Sequence, residues 1–204
     1  MNSVKAIVFD IGRVLIEWDL RLLFAKLIDD PAELDWFLAN VVTPEWHFRH
    51  DAGVPLDIMV PERQREFPEH AALIEAYRQR FLETIPGPVP GTAALVARLK
   101  AGGHELFALT NFGSEFWRQF RPTAPVLDHF LDIVVSGDEQ LAKPDPEIYA
   151  LAERRFGFVG QDVLFIDDND ANIASAREYG WQVHHFRDAA TLEADLDARG
   201  LLSA

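Results

Sequence analysis

Two short apolar runs that each stop on a carboxylate constrain this chain more than any other feature. Ala6-Ile7-Val8-Phe9 leads into Asp10, and Leu164-Phe165-Ile166 leads into the pair Asp167-Asp168. A strand buried on both faces reads as a continuous apolar stretch, which is how strands of a parallel sheet read. The chain between these runs alternates. After the stiff connector Ile85-Pro86-Gly87-Pro88-Val89-Pro90-Gly91, the pattern predicts helix over 92–100, strand over 106–109 and helix over 114–120. Strand 133–135, helix 146–155, strand 163–166, helix 171–179, strand 181–186 and helix 190–198 follow. Alternation of this kind predicts an α/β fold, a parallel sheet with helices on both faces.

The part before the connector reads differently. From Leu20 to about Phe81, charged and apolar residues recur at helical spacing, and no strand pattern stands out. Helices are expected over 20–28, over 31–38 with Asp30 as N-cap and Pro31 in the first turn, and over 71–81. This block is an all-helical insertion after the first strand. It would form a lid over the carboxyl ends of the strands, where sites in open parallel sheets lie.

Composition bounds the rest. With 204 residues, 49% of them hydrophobic, the chain can bury one good core and a small second module. The absence of cysteine excludes disulfides, thiolate chemistry and Cys-based zinc sites. No signal peptide and no membrane-length apolar run is legible, so a cytoplasmic protein without a membrane partner is expected. A formal charge of −14 argues against nucleic acid as a partner, because phosphate backbones are held by clustered Lys and Arg.

At the strand ends stand Asp10, then Thr110-Asn111, then Lys143 in Ala142-Lys143-Pro144-Asp145-Pro146, then Asp167-Asp168. Adjacent acids repel unless a cation sits between them. Hard cations such as Mg²⁺ prefer oxygen ligands. A nucleophilic carboxylate, a hydroxyl with nearby amides, an ammonium and a metal-binding acid pair form a set that phosphoryl transfer requires.

These four motifs, in this order, resemble the haloacid dehalogenase superfamily, in its phosphatase-like branch. The resemblance spans nearly the whole chain. It implies a Rossmann-like core from 1–15 and 87–204 and a helical cap over 16–86. It implies Asp10 as the nucleophile that forms an aspartyl-phosphate, Lys143 bridging nucleophile and phosphate, and Thr110 and Asn111 binding the transferring group. It also implies Mg²⁺ held by Asp10, Asp168 and the backbone carbonyl of Gly12, with Asp167 beside them. The expected substrate is a small phosphorylated metabolite. Phe9-Asp10-Ile11-Gly12-Arg13-Val14-Leu15 is similar to members with glycine two residues after the nucleophile, sugar-1-phosphate phosphatases among them.

Gly12 departs from most phosphatases of that branch, which carry aspartate there as general acid and then base. Proton transfer by a positioned side chain contributes about 10²–10⁴-fold. Glu17, His47 or Asp51 could supply it, or the leaving group could be one that needs no proton. Glycine could also serve the backbone of the turn or the close approach of the cap. Two other readings follow from Gly12: hydrolytic dehalogenation of a 2-haloacid, where halide leaves without a proton, and a phospholigand-binding module. Trp46-His47-Phe48-Arg49-His50-Asp51 suits either a substrate pocket, with His47 as a contact, or a helix packed on the lid core. Arg13 suits either an anionic substrate group or an ion pair. His184 and His185 point to opposite faces of a strand and read as structural.

Overall fold

The computed structural model describes residues 4–202. Five strands form one sheet: β1 (Ala6–Phe9), β2 (Glu105–Thr110), β3 (Asp132–Val135), β4 (Val163–Asp167) and β5 (Gln182–His185). Their order is β3-β2-β1-β4-β5, and every pairing is parallel. β1 lies at the centre with all four residues buried. Its side chains alternate as a pleated strand requires. Ile7 and Phe9 enter one apolar cluster, Ala6 and Val8 the other.

Helices α1 (Arg21–Phe24), α2 (Pro31–Asn40), α3 (Pro44–Asp51), α4 (Leu56–Glu66) and α5 (Ala71–Gln79) form one block after β1. The remaining helices alternate with strands: α6 (Thr92–Ala101), α7 (Ser114–Phe120), α8 (Ser136–Glu139), α9 (Pro146–Phe156), α10 (Asp170–Tyr179) and α11 (Ala189–Ala198). Among the described residues, no helix is long and apolar enough to cross a membrane.

Local sequence explains several helix starts. The Asp30 carboxylate accepts from the Ala32 and Glu33 N–H groups ahead of Pro31, as expected. Thr43 caps α3, Asn169 caps α10 and Asp188 caps α11 in the same way. The helix expected over 20–28 is α-helical only over Arg21–Phe24. Beyond it the Lys26 and Leu27 amides close tight turns onto Leu23 and Phe24, and the chain then extends so that Asp30 can cap α2. α4 is a helix that the sequence disguised. Pro61 lies inside it, yet Leu56, Met59 and Val60 are buried, and that packing outweighs a proline penalty of about 3 kcal/mol.

The helical block joins the sheet through two segments that run side by side. Val89 N–H donates to the Leu15 carbonyl (3.0 Å), Glu17 N–H to Gly87 (2.9 Å) and Asp19 N–H to Thr84 (2.9 Å). Packing ties the block to the core as well. Phe81 stacks on Phe116 of α7 with ring centroids 3.7 Å apart and planes 4° from parallel. The buried Ser136 hydroxyl accepts from Phe112 N–H (2.9 Å) and donates to the Asp51 carbonyl (2.5 Å), linking α3 to the loop after β2.

Gly113 marks the closest approach. A Cβ built there would lie 1.9 Å from Cδ2 of the buried His50 ring. Gly113→Ala is therefore expected to lower stability by about 1–3 kcal/mol, the usual cost of overpacking. A thermal melt with unchanged Tm would show that α3 yields freely at this contact.

Candidate active site

The sheet topology brings the strand-terminal acids together. Phe9 pairs with Ile166, so Asp10 and Asp167 leave adjacent parallel strands at the same level. Carboxylate oxygens of Asp10, Asp167 and Asp168 lie within 4.8 Å of one another. Lys143 enters from the loop before α9. Its Nζ is 2.7 Å from Asp167 Oδ2 and 2.9 Å from Asp10 Oδ1, and its side chain is fully buried.

The two halves of the acid pair differ. Asp167 is fully buried and saturated with donors. Lys143, Asn172 Nδ2 (3.0 Å) and the Asn169 N–H (2.8 Å) all reach it. Asp168 lines the open pocket beside Asp10. Burial pushes the Asp10 carboxyl up to about 7; Lys143 opposes this, while Asp167 and Asp168 add to it. Burial and then Asp167 raise Asp168 in turn. Burial works against the Lys143 ammonium, but Asp10 and Asp167 outweigh it and hold the group above its ordinary value. Three oxygen-donor acids pressed together around a single ammonium suit a hard divalent cation, which would relieve their repulsion.

Thr110 ends β2 with its hydroxyl buried and unpartnered. A buried hydroxyl without a partner costs about 1–3 kcal/mol, which a bound anion would recover. Asn111 does something the sequence did not reveal. Its Nδ2 donates to the Lys143 carbonyl and its Oδ1 accepts from the Lys143 N–H, both at 2.9 Å. The Asn111 side chain thus holds the Lys143 backbone in place.

A cavity of about 250 Å³ opens above these groups, a volume that suits a small ligand. Gly12 lines its floor, and a Cβ built on Gly12 meets nothing within 4 Å. Neither a positive φ nor a close neighbour explains the glycine. The residue after it, Arg13, has a φ of 58° and lays its guanidinium over Trp18, 5.2 Å from the ring centroid. Trp18 stacks on His47 (4.8 Å), and His47 on Phe81 (5.7 Å). Burial, and then Arg13, push His47 down to about 3. The ring is neutral, so its 3.4 Å approach to Asp51 is no ion pair.

The haloacid dehalogenase-like hydrolase family matches residues 4–180. The chain belongs to that family. Among its curated relatives, an (S)-2-haloacid dehalogenase from Pseudomonas putida is 35% identical over 97 residues, 47% of this chain and 42% of that protein. The chain thus spans less than half the length of that relative. A sesquiterpene phosphatase from Aspergillus oryzae is 23% identical over 188 residues, 92% of each chain. A HAD family enzyme from Bacteroides thetaiotaomicron, solved as a mutant with magnesium and inorganic phosphate, superposes with a TM-score of 0.70 at 20% identity. That alignment covers 91% of this chain and 95% of the other.

In this HAD-like hydrolase the strand-end candidates and His47 lie at or next to one pocket, with Thr110 directly before the lining residue Asn111. Asp10, Gly12, His47, Asn111, Lys143 and Asp168 line it, and Asp167 is bonded to Lys143. Glu17 is exposed and does not line it. His184 and His185 have separate partners, Asp195 on α11 and the Asp168 carbonyl. Sequence reasoning missed Trp18, Phe81 and Asn172 in the lining, and Tyr77 behind it, whose hydroxyl lies 2.7 Å from His47 Nδ1. Only Asn172 carried a readable signal, since a residue one turn into the helix after Asp167-Asp168 turns back toward the strand end.

Proposed function

We propose that this protein is a Mg²⁺-dependent phosphatase that hydrolyses a small phosphomonoester through an aspartyl-phosphate. The observation that carries this reading is the convergence of Asp10, Asp167 and Asp168 on one point with Lys143 between two of them. A metal-free site gains nothing from adjacent buried carboxylates, which only raise one another's proton affinity. The match along most of the chain to a phosphatase supports the same conclusion.

In this mechanism Asp10 attacks phosphorus and Lys143 offsets the charge that accumulates between carboxylate and phosphate. The Thr110 hydroxyl and backbone amides near Asn111 bind the equatorial oxygens. Asp10, Asp168 and the Gly12 carbonyl would hold the cation, with Asp167 orienting Lys143 from beneath. Bound there, a divalent cation supplies charge stabilisation to the phosphoryl oxygens. Residues 16–86 act as a cap over a core of 1–15 and 87–204, and His47 and its aromatic neighbours form the wall against the leaving group.

One second reading has specific support. The identity to a 2-haloacid dehalogenase and the glycine at position 12 both fit attack of Asp10 on carbon with halide as leaving group. A single assay separates the two. Phosphate release is measured from sugar phosphates, nucleotides and acyl phosphates with and without chelator, and halide release from 2-haloacids in parallel. The expected result is phosphate release that vanishes with chelator and returns with Mg²⁺. Chelator-resistant halide release without phosphate release would replace this function with dehalogenation.

A further inference from the structure

The cavity is lined by three acids: Asp10, Asp168 and Asp51. The first two belong to the charge cluster at the strand ends. Asp51 comes from the helical block, as the last residue of α3, and it is buried. Its carboxyl is held by the Gly113 N–H and its backbone carbonyl by Ser136, so the core fixes the residue from two directions. The remaining candidates for proton transfer fall away. Glu17 is outside the pocket, and burial holds His47 so far below its ordinary value that it forms neither the imidazolium a general acid needs nor a competent base.

We propose that Asp51 is the proton donor and acceptor that Gly12 lacks, supplied across the cavity from the helical block. This assignment rests on the phosphatase reading. Asp10 forms a bond to phosphorus, the bond from phosphorus to the leaving oxygen breaks, and that oxygen takes its electron pair together with the Asp51 proton. Asp51 is then a carboxylate. It accepts a proton from the water that attacks the aspartyl-phosphate, the acyl phosphate P–O bond returns its electrons to Asp10, and phosphate leaves. Both aspartates end as they began.

The surroundings fit this cycle. Burial pushes the Asp51 carboxyl up to about 7, against His50, the Gly113 amide and Lys143. A position at a helix C-terminus also disfavours the ionised form. The charged and titratable groups around it are His47 and His50 on its own helix, Tyr77 on α5, Glu115 on α7, Lys143 and Arg13. His47 Nδ1 lies 2.7 Å from the Tyr77 hydroxyl while Nε2 faces Asp51 Oδ2 at 3.4 Å. When Asp51 is ionised, Nε2 carries the hydrogen and Tyr77 donates to Nδ1. When Asp51 is protonated, the tautomer reverses. Either state of Asp51 therefore has a matching partner with no net change of charge on the ring.

The test compares wild type with Asp51→Asn, with Mg²⁺, on aryl phosphates of graded leaving-group pKa and on a primary alkyl phosphate. The expected loss is about 10²–10⁴-fold in kcat/KM, which reports only the step that expels the leaving group, on the alkyl ester and under about tenfold on the best aryl leaving group. The wild-type rate on the alkyl ester should fall above about pH 7, and that limb should be absent in Asp51→Asn. Gly12→Asp added to Asp51→Asn should restore alkyl phosphate turnover, because position 12 is open. The fold is checked independently. A carboxyl raised in the folded state weakens it as pH climbs from 3.8 to about 7, so Asp51→Asn should gain Tm over wild type across that window. An equal loss in kcat/KM on all esters, or none, would overturn the role of Asp51 and leave the phosphatase reading intact. A wild type that releases no phosphate from any ester would overturn both.

Discussion

Asp10→Asn is expected to reduce kcat by about 10⁴–10⁶-fold, the range seen when a nucleophile is removed. The amide is nearly isosteric with the carboxylate. Its oxygen can still accept from the Ile11 N–H and from Lys143, which lie 2.7 and 2.9 Å from Oδ1. The substitution also removes one of three crowded acids, whose burial and mutual repulsion already push Asp10 up to about 7. Metal-free Asp10→Asn should therefore melt at or above the wild-type temperature while losing its activity. Turnover within tenfold of wild type would remove Asp10 from the mechanism. An activity loss accompanied by a collapsed Tm would mean that the charge at this position also holds the site together.

The second large effect is expected at Lys143, and it falls on stability as well as rate. The ammonium lies between Asp10 and Asp167 with no solvent exposure of its own side chain. Lys143→Ala leaves two buried carboxylates without compensation, and breaking one partner out of such a group costs about 3–5 kcal/mol. Turnover should fall by about 10³-fold or more, since the electrostatic partner of the transferring group is gone. The two effects can be separated. Lys143→Met combined with Asp167→Asn removes the cation and one acid together. It should recover much of the lost stability without recovering rate. If the double variant regained activity, Lys143 would be a structural counter-ion only.

The strands were legible because burial on both faces leaves an apolar run with few alternatives. β1, β2 and β4 each differ from expectation by two residues or fewer at either end. The acids were legible for the same reason: a carboxylate at the end of an apolar run has no packing role, so its presence points to chemistry. The helical block gave less. Its helices are set by burial against one another and against α7, and a pattern of 3.6 residues says nothing of which neighbour a face will meet. Pro61 hid α4, and the turns after Phe24 ended a helix that spacing alone would have continued. The side chain of Asn111 read as a ligand group because its partner, the Lys143 backbone, lies 32 residues away in sequence. Contacts that distant have no local signature. The same holds for the meeting of Asp51 with Gly113, which turned an ambiguous cap segment into a wall of the pocket.

Leu15 and Val89 are hydrogen-bonded partners, so everything between them leaves and re-enters the rest of the chain at a single point. Excising 16–88 would leave two ends about 5 Å apart, the spacing of neighbouring strands, which a short loop can close. In covalent terms the helical block is a detachable insert. Thermodynamically it is not, because the apolar cluster on one side of β1 continues without a break through Phe112 and Phe116 into Phe81, Tyr77 and Trp46. A chain shortened at Leu15 and Val89 should keep its connectivity and still aggregate through the bared face of α7. Polar residues at 112 and 116 would then be the first requirement for a soluble minimal core.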